Sequence, residues 1–246
     1  LNADGRELAF VEDSPGLAGD CCLRHRFENA GDYTIAIEDA LMGGASGHRY
    51  RMRVGDFPLI SSSVPAAVQN GVATSLTFAG SAADGLPALE ISQARTDSPS
   101  LRVSTSFPGK VGSGFSEVTV SDTPQYVIDA TSRNTVSIPG GVSGILQRQG
   151  ESHTCQIDVR KGDRIQIRDA SRSRGIPTVL AMAVRDGTGR TLAQVRKASL
   201  DGQELNWSAP ADGTYELAFS DLTERGGPEF GYHVELSQQN PDFLLT

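Results

Sequence analysis

The sequence predicts an all-β protein, in which jelly-roll-like β-sandwich repeats flank an immunoglobulin-like β-sandwich. Three observations predict it. Apolar and β-branched residues alternate with a period of two in many short runs. Glycine makes up 27 of the 246 residues, which suits tight turns between short strands better than long helices. A stretch near the beginning also recurs near the end at a fixed spacing, the signature of a repeated unit.

The repeat is the strongest of the three. Ala30-Gly31-Asp32-Tyr33-Thr34-Ile35-Ala36-Ile37-Glu38-Asp39 matches Ala211-Asp212-Gly213-Thr214-Tyr215-Glu216-Leu217-Ala218-Phe219-Ser220-Asp221, with Tyr33 and Tyr215 separated by 182 residues. At the same spacing Leu23 meets Leu205, Gly44 meets Gly226 and Tyr50 meets Tyr232. Upstream, Gly5-Arg6-Glu7-Leu8-Ala9 matches Gly189-Arg190-Thr191-Leu192-Ala193 after a shift of two.

The first copy occupies residues 1–56. Tyr33, Ile35 and Ile37 alternate with Thr34, Ala36 and Glu38, which predicts a half-buried strand. Asp39, like Asp221 in the second copy, ends its strand and caps the following turn with its own side chain, with a ligand role as the alternative. A loop with Gly43-Gly44 leads to a closing strand through Tyr50, Met52 and Val54. Only the closing half of a sandwich is present here, and its apolar faces need cover. The expected cover is a separate N-terminal fragment or a neighbouring chain; packing against the middle segment is the alternative.

The middle segment, residues 57–133, predicts strands at Val72–Gly80, Ala88–Ile91, Leu101–Thr105 and Ser116–Val120, a small immunoglobulin-like sandwich. Residues 134–246 read as a complete second sandwich. Its strands run at Val142–Leu146, His153–Val159, Arg164–Arg168, Thr178–Arg185, Leu205–Trp207, Tyr215–Phe219 and Tyr232–Leu236, with a hairpin turn at Asp186-Gly187-Thr188-Gly189.

The formal charge of −8, with arginines scattered, argues against a nucleic-acid partner. The Arg-rich run from Arg168 to Arg174 reads as a strand end and loop. No apolar run is long enough to insert in a membrane as a helix. The chain opens at Leu1 without a basic leader and reads as a fragment or processed form. The three cysteines read as small buried hydrophobes; adjacent Cys21 and Cys22 point to opposite faces of any strand, and the alternative is that one of them pairs with Cys155 where the first and last domains touch.

Catalysis has little to stand on. Four histidines, His25, His48, His153 and His233, accompany many serines, but no Gly-x-Ser-x-Gly elbow occurs. His233 alternates with Tyr232 and Val234 and reads as a surface strand residue. Cys22 and His25 face opposite ways on a strand, against a zinc site. Asp4, Glu12, Asp13 and Asp20 cluster early in the first copy and are the calcium candidates, with a solvated acidic loop as the alternative. Trp207 and Phe230 are the aromatics a carbohydrate-binding face would use, and both also suit a core.

The repeated units resemble the bacterial pre-peptidase C-terminal domain. The resemblance rests on Lys161-Gly162-Asp163, on Leu192-Ala193, on Ala209-Pro210-Ala211-Asp212-Gly213-Thr214-Tyr215 and on the final tyrosine strand. It covers Pro139–Leu236, and Gly5–Val54 in the first copy. The stretch Tyr50 to Pro58 and the closing Pro241-Asp242-Phe243 resemble large exported proteins of planctomycete-like bacteria. The resemblance implies a non-catalytic jelly-roll module of a secreted, periplasmic or cell-surface protein, used in adhesion, spacing or substrate or polysaccharide targeting. It equally fits the non-catalytic C-terminal part of a secreted peptidase, or a carbohydrate-binding module. Relatives that bind calcium use an acidic pair, matched here by Glu12-Asp13; the second copy has Val195-Arg196-Lys197 there.

Overall fold

The computed structural model describes residues 1–14, 20–45, 47–92, 95–174, 176–199 and 202–239. They divide into two compact units, Leu1–Asp56 and Phe57–Thr246.

Among the described residues of the second unit, every regular element but one short 3-10 turn at Arg172–Arg174 is a strand. The middle region contains β1 (Ser62–Val64), β2 (Ala67–Gln69), β3 (Thr74–Ala79), β4 (Leu89–Ile91), β5 (Ser100–Ser106) and β6 (Ser113–Ser121). They form two three-stranded sheets, β1-β3-β4 and β2-β6-β5, with β2 parallel to β6. The chain changes sheets between β1 and β2, so one N-terminal stretch edges both layers, as suits a small immunoglobulin-like sandwich. Leu76 and Phe78 from one sheet meet Val68, Val103 and Val118 from the other in its core.

The next strand, β7 (Gln125–Val127), leaves this sandwich and runs parallel to β8 (Gly140–Ile145) of the following one. That sandwich adds β9 (Ser152–Val159), β10 (Arg164–Asp169), β11 (Leu180–Arg185), β12 (Thr191–Val195), β13 (Glu204–Ser208), β14 (Gly213–Asp221) and β15 (Gly231–Gln238). Its sheets have the orders β13-β10-β15-β8-β7 and β12-β11-β14-β9. Strands distant in sequence lie side by side, which is jelly-roll interleaving. Alternation sets the inward faces: Cys155, Ile157 and Val159 on β9, Ile165 and Ile167 on β10, and Tyr215, Leu217 and Phe219 on β14. Trp207 packs edge-on against Tyr215 at 4.8 Å in the same core, and Phe230 is buried with them, so neither offers a carbohydrate-stacking face.

The first unit is different. The strands expected through Tyr33–Glu38 and Tyr50–Val54 do not form; none of its described residues lies in a strand. Its turns nonetheless repeat those of the second sandwich bond for bond. Asn2 Oδ1 accepts the N–H groups of Asp4 and Arg6, as Asp186 Oδ1 accepts those of Thr188 and Arg190. Asp39 Oδ1 accepts those of Leu41 and Gly43, as Asp221 Oδ1 accepts those of Thr223 and Arg225. Within these latter loops Met42 and Glu224 both hold positive φ, 51° and 59°. The Tyr33 hydroxyl donates to the Asn29 carbonyl at 2.8 Å, and the Tyr215 hydroxyl to the Ala211 carbonyl at 3.1 Å. Both aspartates thus cap their turns as expected.

Candidate functional site

The densest polar chemistry of the second unit lies where the middle sandwich abuts the jelly roll. Ser143 on β8 and His233 on β15 are direct cross-strand partners. Their strand face would look outward in an isolated sandwich, but here the middle region covers it, and both residues are 1% exposed. That cover is why His233, expected at the surface, is buried. The Ala66 N–H donates to Ser143 Oγ at 3.1 Å, and Ser143 Oγ lies 2.9 Å from His233 Nδ1. The serine oxygen thus sits between a backbone donor and the imidazole nitrogen. Burial, then the charges of Arg174 and Arg168, pull the His233 imidazole down to about 3.

Arg174, just beyond β10, fastens the same joint. Its guanidinium donates to the Ala66 carbonyl at 3.1 Å and to Thr119 Oγ1 in the middle sandwich, and reaches Glu235 of β15 at 3.4 Å. Arg168 closes on the other oxygen of Glu235 at 2.9 Å. A rigid planar fork suits this three-way contact in a way a lysine ammonium does not. Serine, histidine and carboxylates are therefore present, but as a seal. The nucleophile's lone pair is engaged by a backbone N–H, the base is kept weak, and neither meets solvent.

A second buried relay lies close by on β8, β9 and β15. His153 Nε2 donates to Glu151 at 2.8 Å, and its Nδ1 lies 2.9 Å from the Tyr232 hydroxyl. Burial, then the charges of Cys155, Glu151 and Asp129, raise the Tyr232 phenol. Gly144 is required beside it, because a Cβ there would meet the Tyr232 oxygen at 2.7 Å and His153 Nδ1 at 2.9 Å.

An accessible groove of about 490 Å³ is floored by Val136, Val159 and Ile165 of the jelly-roll region and edged by Tyr126, Asp158 and Asp163. Several of its polar groups are already bonded: Asp158 accepts from Thr214 at 2.6 Å, Asp163 accepts from Gln238 at 3.3 Å, and the Tyr126 hydroxyl meets Ser137 at 3.0 Å.

Asp4, Glu12, Asp13 and Asp20 are exposed in the first unit, and no three acidic, histidine or cysteine side chains among the described residues gather into a metal cluster. Asp4 instead accepts from Asn2 at 3.3 Å within its turn. His25 and His48 are exposed. All three cysteines are free; burial, then the charge of Glu216, pushes the Cys155 thiol up to about 12. Cys21 is exposed, unlike a core hydrophobe. The joint itself was not visible in sequence, since the register opposing Ser143 to His233 and the reach of Arg174 to Ala66 are products of the fold. Among the described residues no helix is long and apolar enough to cross a membrane.

No family model and no curated protein matches the chain. Among solved structures, it is similar to the pre-peptidase C-terminal domain of a collagenase from Bacillus anthracis, with 14% identity over 48% of this chain and 100% of that one and a TM-score of 0.31. It is also similar to PliG, a periplasmic lysozyme inhibitor of g-type lysozyme. The Aeromonas hydrophila protein gives 11% identity, 47% and 99% coverage and a TM-score of 0.32. The Salmonella Typhimurium protein gives 15%, 44% and 100%, and 0.31.

Proposed function

We propose that this chain is a non-catalytic accessory array of β-sandwich modules of the pre-peptidase C-terminal kind in an exported bacterial protein, serving adhesion, spacing or the targeting of a substrate or polysaccharide. The observation that carries the reading is the sealed joint. Ser143, His233, Arg174 and Glu235 would be the natural parts of an active site, yet they are spent on fixing one sandwich to the next. A spacer needs that rigidity, and an enzyme needs those groups open to substrate. Ser143→Ala removes the side-chain partner of the Ala66 N–H and of His233 Nδ1 in a dry site, a cost of about 1–3 kcal/mol. The expected result is a lower melting temperature for residues 57–239 and no turnover of peptide, ester or glycan substrates before or after the change. Turnover by the native chain that disappears in a folded Ser143→Ala variant would overturn the reading. As a polysaccharide-binding module, the chain would use the groove beside Tyr126, where apolar floor and acidic rim meet.

A further inference from the structure

The pairing scheme of the second sandwich has a consequence for the first copy. β12 pairs with β11 alone and β13 with β10 alone; β14 lies between β11 and β9, and β15 between β10 and β8. No two of these last four strands hydrogen-bond to each other. The interleaving therefore leaves the closing half of the unit unable to build a ladder from its own strands, and an extended segment without a partner gains no ladder bonds to offset its lost freedom.

Residues 1–56 hold the counterparts of those four strands and of none of their partners. Ile35 is 57% exposed where Leu217 is fully buried, and Tyr50 is 76% exposed where Tyr232 is 1% exposed. Leu23, Ile37 and Met52 are exposed where Leu205, Phe219 and Val234 are buried. The turns that would join the strands are already formed. One rung of the absent ladder also stands. The Leu1 amino group donates to the Thr34 carbonyl at 2.8 Å, and the Thr34 N–H donates to the Leu1 carbonyl at 3.1 Å. Placed on the second copy, these residues are Arg185 and Glu216, the last register pair of β11 with β14. Register and direction for a strand pairing with residues 31–39 are thereby set.

We propose that residues 1–56 are the acceptor half of a second jelly roll, and that its occupant is a four-stranded polypeptide segment of the β8–β11 kind. The complete copy states the chemistry of that occupant. It carries two central strands with inward aliphatic residues, as Ile165 and Ile167 on β10 and Leu180, Met182 and Val184 on β11, and two more strands to flank β14 and β15. The proposal does not depend on what the array binds.

The test uses the full chain and a version with Ser137–Val184 added ahead of Leu1, so that Val184 precedes Leu1 as it precedes Arg185. Amide exchange is followed by mass spectrometry and apolar surface by dye fluorescence. In the unmodified chain, residues 31–39 and 49–54 should exchange without protection and the dye should bind, while β9 and β14 are protected. The addition should raise protection of residues 31–39 by about 100-fold or more and reduce dye binding. The same addition carrying Ile165→Asp and Ile167→Asp in the added segment should give no gain, with β9 and β14 of the native copy still protected. Protection of residues 31–39 in the unmodified chain, whether constant or rising with concentration, overturns the proposal, the second pattern pointing to another copy of the chain as occupant. So does an unprotected fused chain, or a gain that survives the two aspartates.

Discussion

Residues 1–56 and residues 186–239 are written in closely related sequence and differ in outcome. In the second stretch Asp186, Asp221 and Tyr215 connect four strands of a buried core; in the first, Asn2, Asp39 and Tyr33 make the same bonds and connect no strand. The difference separates two levels of folding. Turns and side-chain caps are local, satisfied within five residues, and they form wherever their residues occur. Strands are collective, since a ladder needs a neighbour's N–H and C=O groups. Matching sequence therefore carries over the corners of the unit and not its sheets.

The largest expected contrast is in the core. Phe219 is buried against Tyr232, with ring centroids 5.8 Å apart, and Phe219→Ala should cost about 3–5 kcal/mol. For a unit of this size that lowers the melting temperature by roughly 10 °C or more. Its counterpart Ile37 is exposed, and Ile37→Ala should change stability by less than about 0.5 kcal/mol. Paired thermal melts of the two variants check this. A large loss from Ile37→Ala would break the comparison, because it would mean that residues 1–56 already possess a core.

How far this was readable in the sequence follows the same division. The strands of the second sandwich, the hairpin at Asp186, the Asp39 and Asp221 caps and the buried Trp207 were legible, because alternation and turn chemistry are local signals. The strands through Tyr33 and Tyr50 were read from that alternation too, and there it misleads, because period two reports a strand's capacity and says nothing of its partner. His233 was misread for a related reason. Alternation assigns it outward, and only the middle sandwich lying over Ser143 turns that face into an interior. Short strands such as β1, β2 and β7 carry too few residues for any period to show.

A middle-sized contrast lies in the aspartate caps. Asp221 is buried, and burial alone would raise its carboxyl; bonds from Arg225 and Thr223 and from backbone N–H groups outweigh it and bring the group down to about 2. A carboxyl lowered in the folded state contributes stability that is fully present above its ordinary value near 4 and is lost as the pH falls toward 2. Asp221→Ala should therefore cost about 2–4 kcal/mol at pH 7, with the gap from the parent chain shrinking below pH 4. Asp39 is exposed, and Asp39→Ala should leave the melting temperature unchanged within about 1 °C. Melting curves from pH 7 to pH 2 read both. A constant Asp221→Ala deficit across that range would show that the carboxylate's charge is not what the loop uses.

The smallest contrast concerns the tyrosine corners, and it sharpens the comparison most because the two hydrogen bonds are alike. Tyr215 donates to the Ala211 carbonyl at 3.1 Å with its ring packed on Trp207, and Tyr33 donates to the Asn29 carbonyl at 2.8 Å with its ring 4.4 Å from Phe27. A hydroxyl bond of this sort is worth about 1 kcal/mol when its donor ring is held in a core, as Tyr215 is, and close to nothing when water replaces the donor. Tyr215→Phe should then lower the melting temperature by roughly 2–4 °C, and Tyr33→Phe should not move it. In the chain extended by Ser137–Val184 the prediction changes for Tyr33 alone. Once the added strands cover Ile35 and Ile37, the corner becomes the edge of a core, and Tyr33→Phe should acquire a penalty close to that of Tyr215→Phe. If Tyr33→Phe stays silent in a fused chain whose residues 31–39 have become protected, the corner contributes nothing to the completed fold, and its match to Tyr215 is one of local geometry only.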